Sequence, residues 1–133
     1  MKNLMIIVAV GCCLLIGCAA FSKKAKMEKY GRTFDSYQIA MRISDLNAVC
    51  RFVDSSAMSR EDCLNRFGDI KLVDFKIMDT QADEEKMEVT QDIKVSYHFL
   101  NNVRIKDREY KQTWHYLEDS ETWLLKDGPP QFE

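Results

Sequence analysis

The spacing of apolar residues changes near Gly68, which divides the chain into a helical half and a strand half. From about Met27 the apolar residues recur at helical intervals, with polar residues on the other faces. Tyr30, Phe34, Tyr37 and Met41 fall at i, i+4, i+7 and i+11. This spacing predicts a first helix that buries one stripe of side chains.

Two shorter helices are predicted before Gly68. Ser44 and Asp45 are suited to cap the second helix, and the segment from Ser59 to Asp62 looks like a capping box that opens the third. Gly68 is a typical residue for ending a helix. The predicted apolar faces are Leu46, Val49, Cys50 and Val53 in the second helix, and Cys63, Leu64 and Phe67 in the third.

After Gly68 the pattern alternates with a period of two, which predicts strands. Val73, Phe75 and Ile77 alternate with Asp74 and Lys76 in the first strand. An acidic loop is expected over residues 79–86. Two long alternations follow over residues 87–99 and 103–117, and a turn at residues 118–121 leads to a short fourth strand.

A two-residue hairpin turn at Asn101 and Asn102 predicts the register of the two long strands, since Asn tolerates the backbone conformation that such turns need. With Leu100 opposite Val103, paired residue numbers sum to 203. Near the tip this register places Val95 and Tyr97 opposite basic residues, so a bulge or protruding tip is expected. The other predicted pairs are Met87 with Tyr116, Val89 with Trp114 and Ile93 with Tyr110 on one face, Lys94 with Glu109 and Asp92 with Lys111 on the other, and Tyr116 with Trp123 and Trp114 with Leu125 across the last turn.

Helices followed by a long antiparallel sheet predict an α+β fold. From Met27 onward the chain resembles the nuclear-transport-factor-2-like superfamily. The likeness lies in the long first helix, the segment Asp69 to Phe75, and the motifs Gln112-x-Trp114-x-Tyr116, Trp123-x-Leu125 and Pro129-x-x-Phe132. It implies three N-terminal helices packed on a curved, cone-like antiparallel sheet of about four strands. Both enzymes and binding modules have this fold, so the fold does not assign a function.

The N-terminal segment has the layout of a secretory signal, with Lys2 followed by an uncharged apolar run that ends near Ile16. Leu15-Ile16-Gly17-Cys18 resembles the lipobox of bacterial lipoproteins. The resemblance implies cleavage before Cys18 and attachment of diacylglycerol to that residue, and Ala19 after it implies the outer membrane, facing the periplasm. The chain then divides into a signal peptide (1–17), a lipidated Cys with a basic tether (18–29) and a single domain (30–133).

The alternative for this segment is an uncleaved membrane-spanning helix. The uncharged run from Asn3 to Ser22 is 20 residues, which is long enough to cross a bilayer. The cluster Lys23, Lys24, Lys26 and Lys29 lies on its C-terminal side. By the positive-inside rule an uncleaved helix would leave the domain in the cytoplasm.

Cysteine use is compatible with export. Removal of the signal and lipidation of Cys18 would leave Cys50 and Cys63 as an even pair in an oxidising compartment. These two residues form either a disulfide or two buried free thiols.

No catalytic constellation, metal site or cofactor motif is evident. His98 and His115 fall on the face away from the helices, where surface histidines are expected, and neither has a Cys or an acid at the spacing typical of zinc sites. Nucleophile and phosphate-loop motifs are absent from the sequence. A non-enzymatic protein is therefore expected, although an isomerase or dehydratase of the kind found among relatives of the fold is an alternative.

One polar feature interrupts the apolar face of the sheet. Gln91 and Gln112 oppose each other among aromatic and aliphatic residues. Apolar pockets with a few polar groups are the usual form of small-ligand sites. The alternative, which we favour, is that the two amides satisfy each other in the core. The candidate pocket comprises Gln91, Gln112, Tyr110, Trp114, Tyr116 and Trp123.

Composition narrows the class of partner. Apolar residues make up 46% of the chain, which excludes wholesale disorder, and the net charge of -2 gives no reason to expect nucleic acid. The expected partners are the membrane, through the lipid, and a protein or small apolar ligand of the envelope. An accessory subunit would dock through the outer sheet face, around Lys94, Ser96, Glu109, Lys111 and Thr113.

Overall fold

The computed structural model describes the backbone of residues 2–133 and the side chains of residues 22–133. The four strands form one antiparallel sheet in the order β1-β2-β3-β4. The predicted α+β class, with helices preceding a four-stranded antiparallel sheet, is therefore confirmed. The elements are α1 (Lys2–Arg42), α2 (Leu46–Cys50), α3 (Arg60–Phe67), β1 (Ile70–Asp83), β2 (Glu88–Phe99), β3 (Asn102–Leu117) and β4 (Thr122–Leu125).

The capping residues act as their chemistry predicts. The Asp45 side chain accepts a hydrogen bond from the Ala48 amide at the start of α2, and Ser59 Oγ accepts one from the Asp62 amide at the start of α3. Gly68 ends α3 with a φ of 63°, a conformation that costs glycine little because it has no Cβ. The predicted stripe of α1 faces the sheet, and its last member, Met41, is fully buried.

The register of β2 and β3 agrees with the prediction over most of its length. Paired residues from Glu88 with His115 to Tyr97 with Lys106 follow the expected sum. The turn itself lies one residue earlier than predicted, at Leu100 and Asn101, because Phe99 pairs with Asn102. The irregularity expected near the tip is present between Tyr97 and Phe99, where the pairing shifts.

The first strand is longer and less regular than its sequence suggests. The acidic segment expected as a loop over residues 79–86 continues in β1 as far as Asp83, because its backbone pairs with β2 despite its exposed side chains. The pairing shifts near Val73 and Met78, and both side chains are exposed. The prediction that Val73 shares the buried face with Phe75 is therefore wrong, and Leu72 takes its place in the core.

Two segments outside the strands complete the core. Residues 52–54 run alongside β4, where the Leu125 amide donates to the Phe52 carbonyl over 2.7 Å and the Asp54 amide donates to the Leu125 carbonyl over 2.9 Å. The C-terminal Phe132 stacks on Phe67 and meets the Tyr97 ring edge-on at 5.0 Å. This contact explains why Tyr97 is buried although its cross-strand neighbour is a lysine.

The basic segment before Tyr30 lies against the sheet. Lys26 contributes its carbonyl as acceptor for Trp123 Nε1 at 2.8 Å, and its ammonium reaches Glu118 at 2.8 Å. Lys23 pairs with Glu85 at 3.1 Å. The boundary that we expected between tether and domain, at residues 29 and 30, lies within the single helix α1. Across residues 22–133 we find no helix with both the length and the apolar character needed to cross a bilayer.

Candidate functional site

The two glutamines of the candidate pocket lie directly opposite each other on β2 and β3, and both are buried, with 1% and 3% of their surface exposed. Gln112 Nε2 donates to Gln91 Oε1 over 2.9 Å. Trp114 Nε1 donates to the same oxygen over 3.0 Å. The prediction that the amides oppose each other is confirmed, and they are hydrogen-bonded as the favoured alternative required.

Two tyrosines of α1 complete this network, which we call the amide network (Tyr30, Tyr37, Gln91, Gln112 and Trp114). Gln91 Nε2 donates to the Tyr30 hydroxyl over 3.0 Å, and the Tyr37 hydroxyl donates to Gln112 Oε1 over 3.0 Å. The network therefore ties α1 to both central strands. Among the described residues, no buried side-chain nitrogen or oxygen lacks a partner.

Burial keeps the tyrosine hydroxyls in and beside the amide network neutral. Burial raises the pKa of Tyr37 well above its ordinary value, and the neighbouring Tyr110 raises it further. Burial likewise raises the pKa values of Tyr30 and Tyr110. Neutral phenols and amides are poor general acids and bases at neutral pH, so the network is suited to holding structure together.

The remaining candidate pocket residues differ in burial and in the surface cavities that they touch. Trp114 and Trp123 are fully buried, whereas Tyr110 and Tyr116 lie at the margins of the core. A shallow surface cavity of about 370 Å³ touches Tyr110, and another of about 400 Å³ touches Tyr116. Gln91 and Gln112 line neither of these two cavities.

A second polar cluster was missed in the sequence. His115 Nε2 lies 2.9 Å from Asp54 Oδ2, and the other oxygen of that carboxylate accepts hydrogen bonds from the Ser56 amide at 3.0 Å and hydroxyl at 2.8 Å. His115 was expected as a surface histidine, but its side chain is only 21% exposed. Hydrogen bonds from Ser56 and then from His115 hold the pKa of Asp54 below its ordinary range.

This cluster lacks the order of groups that activates a nucleophile. In a catalytic triad the histidine lies between the acid and the hydroxyl. Here the carboxylate of Asp54 lies between Ser56 and His115. The Ser56 hydroxyl therefore donates its hydrogen bond to the carboxylate, and His115 is not placed to accept the hydroxyl proton. The arrangement fixes the turn at residues 54–56 to β3. Asp54 and His115 are 61 residues apart, so local spacing gave no signal for the pair.

The two cysteines predicted to form either a disulfide or free thiols are bonded in the structure. The Cys50 and Cys63 sulfurs are 2.11 Å apart and their Cα atoms 5.9 Å apart. The bond joins α2 to the first turn of α3, and both residues are buried.

The outer sheet face carries exposed ion pairs. Lys111 lies 3.4 Å from Asp92, the predicted pair. Lys94 and Glu109 are opposite each other in the strand register, as predicted. The Lys94 ammonium, however, lies 3.8 Å from Asp107, which also accepts a hydrogen bond from Ser96. Exposed pairs of this kind contribute little to stability.

Within residues 22–133 there is no group of three or more His, Cys, Asp or Glu side chains placed to hold a metal ion. The predicted lipidation site, Cys18, lies outside the described residues. Comparison of the chain with models of protein families, with curated proteins and with solved structures finds no significant match.

Proposed function

We propose that this protein is a lipid-anchored protein of the cell envelope, whose domain is a non-enzymatic module that binds a protein partner. The observation that carries the anchor is the sequence Leu15-Ile16-Gly17-Cys18 at the end of an apolar run behind Lys2. Two or more acyl chains on Cys18 would hold the protein stably, since each buried methylene contributes about 0.8 kcal/mol. Ala19 favours the outer membrane, with the domain in the periplasm.

Chain length then places one end of the domain close to the bilayer. Cys18 and Lys23 are five residues apart, and a fully extended residue spans at most about 3.6 Å, so the two are within about 18 Å of each other. Lys23 and Lys26 contact Glu85 and Glu118, which lie on the two turns at the same end of the sheet. In this proposal those turns are proximal to the membrane, and the lysines offset their negative charge near the headgroups.

The packed interior supports a protein partner rather than a small apolar ligand. An apolar ligand would need space beside the amides of Gln91 and Gln112, and these amides already bond each other and the tyrosines of α1. A partner that docks on the outside needs no such space. The enzyme alternative has no comparable support, because the buried polar residues of the described chain are Asp54, Gln91 and Gln112, and Asp54 is engaged with Ser56 and His115.

The cone-like fold of the nuclear-transport-factor-2-like superfamily remains our proposal for the finer architecture. The shifts of pairing near Val73 and Met78 support it, because bulges bend and twist a strand. The packing of the α1 stripe on the apolar face also supports it. An experimental structure in which the sheet does not curve around α1 would contradict this part of the proposal.

Fractionation and copurification test the function. The protein should fractionate with the outer membrane, and Cys18→Ala should remain as an uncleaved precursor in the inner membrane. Cys13→Ala is the matched control, since that residue leaves with the signal and should not alter sorting. A stoichiometric protein recovered with the detergent-extracted wild type supports the binding role. Inner-membrane location of the wild type would favour the uncleaved single-pass alternative, and a domain without any stoichiometric partner would contradict the binding role.

A further inference from the structure

Within the described part of the chain, most of the β3 edge has no strand beside it, and the same is true of the outer edge of β1. The short strand β4 pairs with β3 only from Trp114 to Leu117, and the Lys126 amide bonds the Thr113 carbonyl just beyond it. Residues 102–112 of β3 therefore have a partner strand on one side alone, β2. We call this segment the open edge of β3.

The backbone of the open edge offers a ladder of free groups. Successive residues of an antiparallel strand point their N–H and C=O groups to opposite sides. The Tyr116 amide points toward β2, where it donates to Met87, and the Thr113 carbonyl points the other way, where it accepts from Lys126. By the same alternation, the N–H and C=O groups of Lys111, Glu109 and Asp107 point to the open side.

The side chains of this segment alternate between a basic set and a set that carries Val103, Ile105, Asp107 and Glu109. Arg104, Lys106 and Arg108 follow at alternate positions, all exposed, and no carboxylate pairs with them among residues 22–133. Val103 is 81% exposed and Ile105 is 54% exposed. The Lys106 ammonium lies over the Phe99 ring, 5.3 Å from its centroid. At the positions of the three basic residues, a row of cations without carboxylate partners is complementary to the acidic side chains of an extended strand that alternates acidic and apolar residues.

A second copy of the chain fits this edge poorly. Residues that face each other across two strands lie on the same face of the sheet. Antiparallel pairing of two copies centred on Lys106 would therefore place Arg104 opposite Arg108 and Lys106 opposite its own copy, and like charges in that position are destabilising.

We propose that the open edge of β3 binds an extended acidic segment of a partner protein by adding it to the sheet as a further strand. This inference rests on the proposed binding role and names its surface. The edge lies at the end of the sheet opposite the turns that carry Glu85 and Glu118, because β3 runs from the β2–β3 hairpin toward Leu117. An anchor at Cys18 would thus leave the edge facing away from the bilayer.

The test uses the protein extracted from the envelope in detergent and blocked eight-residue peptides. Fluorescence anisotropy should show that a peptide alternating Val and Glu binds at least tenfold more tightly than one alternating Val and Lys. N-methylation of alternate amides of the Glu peptide should abolish binding, because it removes the donors that a strand needs. On binding, the amides of Asp107, Glu109 and Lys111 should become protected from hydrogen exchange.

Charge reversal provides the matched variants. R104E/K106E/R108E should reverse the preference between the two peptides, and K71E/K76E/K86E, which reverses three exposed lysines elsewhere, should leave it unchanged. Equal binding of both peptides, absence of binding, or unchanged hydrogen exchange would overturn the proposal. The alternative in those cases is that the cations protect the edge from pairing.

Two further outcomes separate this inference from the proposed function. A charge-dependent dimer of the wild-type protein in light scattering would assign the edge to a second copy and overturn the acidic partner. If a stoichiometric envelope partner still copurifies with R104E/K106E/R108E, the binding role stands and the edge proposal fails.

Discussion

Gln91 and Gln112 face each other across the two central strands, with the amide nitrogen of Gln112 donating to the amide oxygen of Gln91 over 2.9 Å. The same oxygen accepts from Trp114, and the two outer ends of the pair reach Tyr30 and Tyr37 on α1. The amide nitrogen of Gln112 therefore depends on Gln91 for its acceptor inside an apolar wall, whereas the Gln91 oxygen also has Trp114 as a donor. This relationship makes the pair a structural unit that connects helix and sheet.

A double-mutant cycle should show strong coupling between these amides. Gln91→Leu or Gln112→Leu alone leaves buried donors or acceptors without partners, which costs about 1–3 kcal/mol per group. Gln91→Leu should be the more costly, because its oxygen serves two donors. The double variant should lose less stability than the sum of the two, as measured by urea unfolding.

The matched control for this cycle is Gln81→Leu, which changes an exposed glutamine of β1 and should alter stability little. Small, additive losses from Gln91→Leu and Gln112→Leu would contradict the paired network and revive the ligand pocket.

The stabilisation that the ionised Asp54 side chain gives to the fold should be lost in acid. Hydrogen bonds from the Ser56 amide and hydroxyl, followed by His115, hold its pKa in the folded state below the ordinary value of 3.8. A depressed folded-state pKa gives a stabilisation that is complete above the unfolded-state pKa and is lost as pH falls through the folded-state pKa. Asp54→Asn should therefore be less stable at neutral pH and should show a flatter decline of the unfolding free energy in acid.

Thermal unfolding between pH 2 and pH 7 measures this effect, with Asp119→Asn on an exposed turn as the control. Parallel pH profiles for the wild type and Asp54→Asn would show that the contacts of Asp54 do not stabilise the fold.

The parts of the fold that local sequence determines were predictable. The β2–β3 register followed from matching Val89 with Trp114 and Ile93 with Tyr110, because a slip of one residue would move these side chains to the charged face. The bulges near Val73 and Met78 depend on how β1 twists against β2, which no alternation reveals. The pairing of Asp54 with His115 requires the tertiary fold that brings residues 52–54 beside β4.

The cysteine pair should be oxidised in protein taken from the envelope. Thiol counting under denaturing, non-reducing conditions should find no free thiol at Cys50 or Cys63. Removing the bond with Cys50→Ser/Cys63→Ser should lower the free energy of unfolding by about 3 kcal/mol, the value expected for closing a loop of this length. Two free thiols would instead support the buried-thiol alternative.

The segment before Tyr30 should stabilise the domain. A protein shortened to begin at Tyr30 loses the hydrogen bond between Trp123 and the Lys26 carbonyl and the packing of Met27 on the core. The expected loss is about 1–3 kcal/mol in chemical unfolding compared with a protein that begins at Ser22. Equal stability of the two would show that residues 22–29 act only as a tether.

The intact mass of the protein extracted from the envelope shows whether Cys18 carries a lipid anchor. We expect a species that has lost residues 1–17 and carries the mass of a diacylglyceryl group with further acylation. Cys18→Ala should lose that mass, whereas Cys13→Ala should keep it. A full-length wild-type chain without added mass would contradict the lipid anchor at Cys18.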